Sequence, residues 1–147
     1  MNRADIQNVL NNYYHAFNAK DKNRVLASFS HDADFIDLTM GRNMKGLEQL
    51  AEFIDETWTL SPYFRIEPEQ ILIDGDSVAV QLIMSGAKKV DSAGKPHPKS
   101  LWRIPSTSFF KLQENLIIWK ADCWNALAIP KQIGWLRTIP MIFRSGT

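Results

Sequence analysis

The sequence predicts an α+β fold in which three N-terminal helices lie on one face of a curved antiparallel sheet, and three observations predict it. Apolar residues recur at helical spacing from about Arg3 to Asn18 and again from Leu47 to Trp58. Beyond Pro62 the period changes to strict alternation, and β-branched and aromatic residues dominate four segments. Asp74-Gly75 and Gln113-Glu114-Asn115 stand between neighbouring segments as short turns, which join strands into an antiparallel meander.

In the first helix Ile6, Val9, Leu10, Tyr13, Ala16 and Phe17 form the inner stripe; Asn2 is placed to cap it, with Asp5 in its first turn. Asp21 can cap a short second helix whose stripe is Val25, Leu26 and Phe29. Ala33 to Thr39 then reads as a strand with Phe35 and Asp37 on one side, and Gly41 and Gly46 bracket a turn. Leu47, Leu50, Phe53, Ile54 and Trp58 give a third amphipathic helix that ends near Ser61-Pro62. The four later strands run roughly Phe64 to Ile73, Ser77 to Lys88, Ser100 to Leu112 and Leu116 to Asn125. From Ala126 the chain is apolar, punctuated by Pro130, Gly134 and Pro140, as a short helix over a pocket or a partner would be.

A chain of 147 residues suits one domain, residues 1–147. With 17 basic against 16 acidic side chains there is no concentrated basic footprint, so no nucleic-acid partner is expected. Lys88, Lys89, Lys95 and Lys99 fall in a Gly- and Pro-marked loop and read as solvated. The lone Cys123 cannot form an internal disulfide and reads as a small buried hydrophobe. His15 reads as a surface residue, while His31 and His97 read as turn residues. None of the three has metal-ligand spacing, so no metal and no cofactor is expected. No secretion-type segment opens the chain and no apolar run approaches bilayer length; the expectation is a cytoplasmic protein without a membrane partner.

The pattern Tyr13-xx-Ala16-Phe17-Asn18-Ala19-x-Asp21, then Asp32-Ala33-xxx-Asp37 and Gly41, then the closing strand pair, resembles the nuclear-transport-factor-like superfamily, in particular its ketosteroid isomerase and SnoaL-like polyketide cyclase branches. The resemblance spans nearly the whole chain and implies a cone-shaped fold. That scaffold carries isomerases, dehydratases, epoxide hydrolases, cyclases and proteins without catalysis. Carried over position by position, it places Tyr13 where the isomerases keep an oxyanion-donating tyrosine and Asp37 where they keep a proton-shuttling aspartate. In the ketosteroid isomerases that pair abstracts a proton beside a carbonyl and holds the enolate oxygen. Where the isomerases have a second, protonated aspartate this chain has Ser108, and where the limonene epoxide hydrolase pattern has an Arg and an Asp it has Leu82 and Met84. Neither steroid isomerisation nor epoxide hydrolysis is therefore expected.

Trp119-Lys120-Ala121-Asp122-Cys123-Trp124-Asn125, followed by Gln132-Ile133-Gly134, resembles the end of SnoaL-like cyclases, where an acidic residue precedes Gln-x-Gly; either Asp122 or Asn125 takes the acidic position. Alternation sets Lys120, Asp122 and Trp124 on one face and Ile117, Trp119, Ala121 and Cys123 on the other. Alone it would make the apolar row core; the resemblance makes it an outer face buried in a homodimer.

The expected reaction is cofactor-independent isomerisation or cyclisation of a small hydrophobic carbonyl compound, polyketide-, steroid- or terpenoid-like, with Asp37 as base, Tyr13 as oxyanion donor and Asp122 as a second acid or base. Phe17, Trp58, Met84, Ser106, Ser108, Phe110, Trp124 and Asn125 are the expected substrate-binding residues, with Trp102 a further wall candidate. Two rival readings stay open. One is a non-catalytic ligand-binding or dimerisation module; the other is a homodimer whose cone is filled by Trp58, Tyr13 and Asp37.

Overall fold

The computed structural model describes residues 1–88 and 90–134; Lys89 and Pro140 lie outside the described residues. Helix α1 spans Arg3–Asn18 and α2 spans Lys22–Leu26, with Asn2 and Asp21 capping them as the sequence requires. Strand β1 (Phe29–Asp37) and a short β2 (Arg42–Lys45) precede α3 (Gly46–Leu60). Four strands follow, β3 (Arg65–Asp74), β4 (Ser77–Ala87), β5 (Leu101–Gln113) and β6 (Leu116–Trp124), and α4 (Ala128–Gln132) closes the described chain. The turn between β5 and β6 places Glu114 and Asn115 both at positive φ, the mirror-image turn whose twist matches that of the strands it joins.

The six strands form one sheet in the order β2-β1-β6-β5-β4-β3. Neighbours are antiparallel except β1 and β6, which run parallel in the middle of the sheet, so the sheet is mixed. Alternation read β1 as starting at Ala33. It starts at Phe29, which leaves the second helix's stripe and pairs with Ile117; His31 consequently sits in a strand and not in a turn. Strand β2 is four residues with one buried side chain, Met44, too short to carry a periodic signal.

On the inner face, residues in register form rows. Val78, Phe110, Lys120 and Phe35 make one; Val80, Ser108, Asp122 and Asp37 make the next; Leu82, Ser106 and Trp124 make a third. Helices α1 and α3 cover these rows, packing Tyr13 edge-on to Phe110 and Phe53 against Phe35. The outer face carries Leu72, Ala79, Phe109, Ala121 and Ile36 in one continuous row. Cys123 is exposed there, correcting its expected burial: with Asp122 and Trp124 turned inward, the residue between them must face out. Ile117 departs from the expected outer row as well. The register slips beside Leu112, Ile118 is the extra residue, and Ile117 swings into the core.

Two side-chain amides extend the sheet's hydrogen bonding. Asn18 accepts from the Ile66 amide and donates to its carbonyl on edge strand β3, while Gln132 does the same for Arg103. Strand β6 ends opposite Ser106, so the Gln132 amide stands where a further β6 residue would have paired, and α4 is fixed over the inner face. Among the described residues, no helix is long and apolar enough to cross a membrane.

Candidate functional site

Between the sheet rows and α1, α3 and α4 lies a cavity of about 400 Å³. Tyr13 and Asp37 line this space. The walls are mainly aromatic and aliphatic: Phe17, Phe35, Phe53, Phe64 and Trp102 face it, with Leu82 and Met84. Met40 and Leu60 are lining residues that are also exposed, and they mark the mouth. Beside them Arg42 and Glu56 form an ion pair at 2.7 Å, and Ile129 and Ile133 reach in from α4. Helix α4 thus covers the cavity, one of the two places the sequence allowed a helix after Ala126.

Asp37 ends β1 and is 4% exposed. Its Oδ1 accepts the backbone N–H groups of Thr39 and Met40, both at 3.0 Å, an Asx turn that lets the chain leave the strand. The Trp124 indole N–H lies 3.2 Å from Oδ1 and 3.3 Å from Oδ2. Three donors thus converge on this side chain, two of them on Oδ1 alone, and Oδ2 is left with the indole alone. Thr39 in turn ties this loop to β6, donating its hydroxyl to the Trp124 carbonyl and accepting from the Trp124 amide.

Asp122 is the register partner of Asp37 on the neighbouring parallel strand, so the two carboxylates stand side by side on one wall. Ser108, its partner on the other side, donates its hydroxyl to Asp122 Oδ1. Lys120 donates its ammonium to both oxygens. Burial drives the Lys120 amine below the usual lysine range; the Asp122 charge, its hydrogen bond and then Asp37 oppose that fall. Tyr13 faces the cavity, and burial, reinforced by Asp122 and Tyr14, pushes its phenol well above the usual range. It remains a donor.

Other expected binding residues lie off the wall. Trp58 packs edge-on to Phe17 at 5.4 Å, one layer behind the surface it was expected to form, because its position on α3 points toward α1. Phe110 is buried under Tyr13 and Tyr14, in the sheet row below the cavity. Ser106 turns its hydroxyl to the Cys123 carbonyl, and Asn125 accepts from Leu127 and Ala128, capping the turn into α4. Of Asp122 and Asn125, Asp122 is the one that lines this cavity. Phe17, Met84, Ser108 and Trp124 are on the wall. Lys120 was not singled out in the sequence; its only signal there is that it alternates in phase with Asp122 and Trp124. Among the described residues no cluster of His, Cys, Asp and Glu could hold a metal ion.

Residues 10–119 match the family model of the SnoaL-like domain. No protein of curated function matches the sequence. Solved structures match the fold. A Catenulispora acidiphila protein with a ketosteroid isomerase-like fold, in complex with trimethylamine, is 17% identical over 86% of this chain and 92% of its own, with a TM-score of 0.75. A candidate SnoaL-like polyketide cyclase from Shewanella denitrificans is 17% identical over 88% of this chain and 97% of its own, with a TM-score of 0.74. IdmH from Streptomyces antibioticus, a candidate polyketide cyclase, is 16% identical over 88% and 98%, with a TM-score of 0.76.

Proposed function

The chain belongs to the SnoaL-like domain family, and from that premise we propose that it is a cofactor-independent isomerase or cyclase acting on a hydrophobic carbonyl compound of polyketide, steroid or terpenoid type. The observation that carries this reading is the register pairing of Asp37 and Asp122 on the wall of a mainly apolar cavity that Tyr13 also faces. Asp37, through Oδ2, takes the proton from the carbon next to the carbonyl. The electron pair of that C–H bond moves onto the carbonyl oxygen, and the Tyr13 phenol donates to the enolate oxygen so formed. In an isomerisation the proton returns to a different carbon. In a cyclisation the enolate carbon attacks a second carbonyl of the same molecule, and the new alkoxide takes its proton from the carboxyl group that holds it. Asp122 serves as the second acid or base.

Exchange of the α-hydrogens of 2-tetralone for deuterium, followed by NMR in D₂O, reads the first step without requiring the natural substrate. Asp37→Asn keeps the side-chain oxygen that the turn needs and removes the base; exchange falls by on the order of 10²–10⁴. Tyr13→Phe lowers it by on the order of 10²–10³. Wild-type exchange no faster than in buffer, or an Asp37→Asn variant as fast as wild type, overturns the reading.

A second reading, ligand binding without turnover, is favoured by the two backbone donors that Asp37 Oδ1 already serves, since they give this carboxylate a structural role of its own. Retained tetralone binding with no exchange in any variant selects it. We further propose that the outer sheet face pairs with a second copy of the chain through the apolar row centred on Phe109.

A further inference from the structure

Lys120 is 1% exposed and sits between two phenylalanines, Phe35 of β1 and Phe110 of β5, its register partners on either side. Its ammonium lies 4.4 Å from the Phe35 ring centre, 5.4 Å from that of Phe110 and 5.8 Å from that of Tyr13. An apolar side chain would suit that position. A buried ion pair rarely stabilises a fold more than well-packed hydrophobic residues of the same volume, so stability gives no reason for a lysine here.

The charge pattern does give one. Asp37 and Asp122 are register partners on the wall of a mainly apolar cavity, and two carboxylates in close contact in such surroundings tend to share a proton. The groups that face Lys120 are Asp122 on its own strand, Asp37 on β1 and the phenol of Tyr13 on α1, with Tyr14 near enough to feel the Asp122 charge. Strand β5 offers the Phe110 ring and the Ser108 hydroxyl that shares Asp122 Oδ1, and α3 sets the Phe53 ring behind Phe35. Lys120 is therefore bonded to Asp122 and within electrostatic reach of Asp37.

We propose that Lys120 is a positioning residue whose charge locks Asp122 through both of its oxygens and lets Asp37 and Asp122 stand side by side without sharing a proton. The inference rests on the cavity's role as a proton-transfer site, and it specifies how that site is kept in its basic form. Lys120 is not on the cavity wall, so its effect is exerted through Asp122.

The test is an NMR pH titration of the full chain carrying ¹³Cγ-labelled aspartate, for wild type, Lys120→Met and Lys120→Gln. In both variants one carboxyl signal moves its titration upward by about one pH unit or more, and the added substitution Asp122→Asn abolishes or relocates that signal. Glutamine keeps a donor without the charge, so a Gln variant that titrates like wild type overturns the proposal, as does a Met variant in which no carboxyl moves. Should Lys120→Met fail to fold, the Gln variant and the reciprocal substitution decide: in Asp122→Asn, one lysine ε-carbon signal titrates at lower pH than in wild type, and an unchanged set overturns the proposal. The acid limb of tetralone exchange moves with the carboxyl signal. A protein that shows the carboxyl shift but no exchange in wild type loses the base reading and keeps the role of Lys120.

Discussion

Tyr14 carries a hydroxyl that is buried without a hydrogen-bond partner among the described residues, one turn from the cavity. An unsatisfied buried donor costs about 1–3 kcal/mol, whereas its apolar replacement of the same shape is nearly neutral or better. Tyr14→Phe is therefore expected to raise stability by about 1 kcal/mol at pH 7, measured by urea unfolding. The pH dependence has a definite sign. Burial, then the Asp122 charge, push the Tyr13 and Tyr14 phenols above 10, so the folded state holds protons that the unfolded chain releases; their contribution is whole below pH 10 and is lost as the pH climbs past it. Lys20, half-buried and lowered to about 8 first by burial and then by Arg65, acts oppositely between 8 and 10.5, where the unfolded chain binds the extra proton. The tyrosine effect is thus read above pH 10.5, where the wild type loses stability more steeply than Tyr14→Phe. A Phe variant with the same slope would refute that assignment.

Strand β4 passes the cavity at Gly86, where an added Cβ would come within 2.3 Å of the Trp102 ring and 2.6 Å of the Ser61 hydroxyl. Gly86→Ala is expected to destabilise by about 1–3 kcal/mol and to displace a wall ring, weakening tetralone binding as read by ligand-observed NMR. Most elements that build this wall can be read directly from the chain. Alternation in β1 set Phe35 and Asp37 together, the caps Asn2 and Asp21 fixed the helix starts, and the turn residues between the later strands set their pairing. What alternation cannot give is which face of a strand is interior. In β6 the row holding Lys120, Asp122 and Trp124 looks like the wet one, and a buried lysine is legible only once Phe35 and Phe110 are known to flank it. The extra residue at Ile118 and the pairing of β1 with β6 come from contacts distant in sequence, so no local pattern announces them. Trp58 shows the same limit for helices: periodicity placed it on the inner stripe, but whether it met the cavity or α1 depended on how α3 docked.

Across the whole molecule, the largest uncovered feature is the outer sheet face. Leu72 and Phe109 are 59% and 41% exposed, in a row with Ala79, Ala121 and Ile36 that crosses five strands without a charge. Sedimentation velocity should accordingly find a dimer, and Phe109→Glu should yield a folded monomer with unchanged far-UV circular dichroism. A wild-type monomer at every accessible concentration would remove the proposed self-association. The parallel seam at the centre of the sheet has a consequence for biogenesis. Asp37 emerges from the ribosome early, but its companion wall, its indole donor and the lysine beneath arrive only with β6, some 85 residues later along the hydrogen bonds that join Thr39 to Trp124. A nascent chain released before that point would hold an unmatched acidic strand and no pocket, and its slow step in maturation would be closing this long loop.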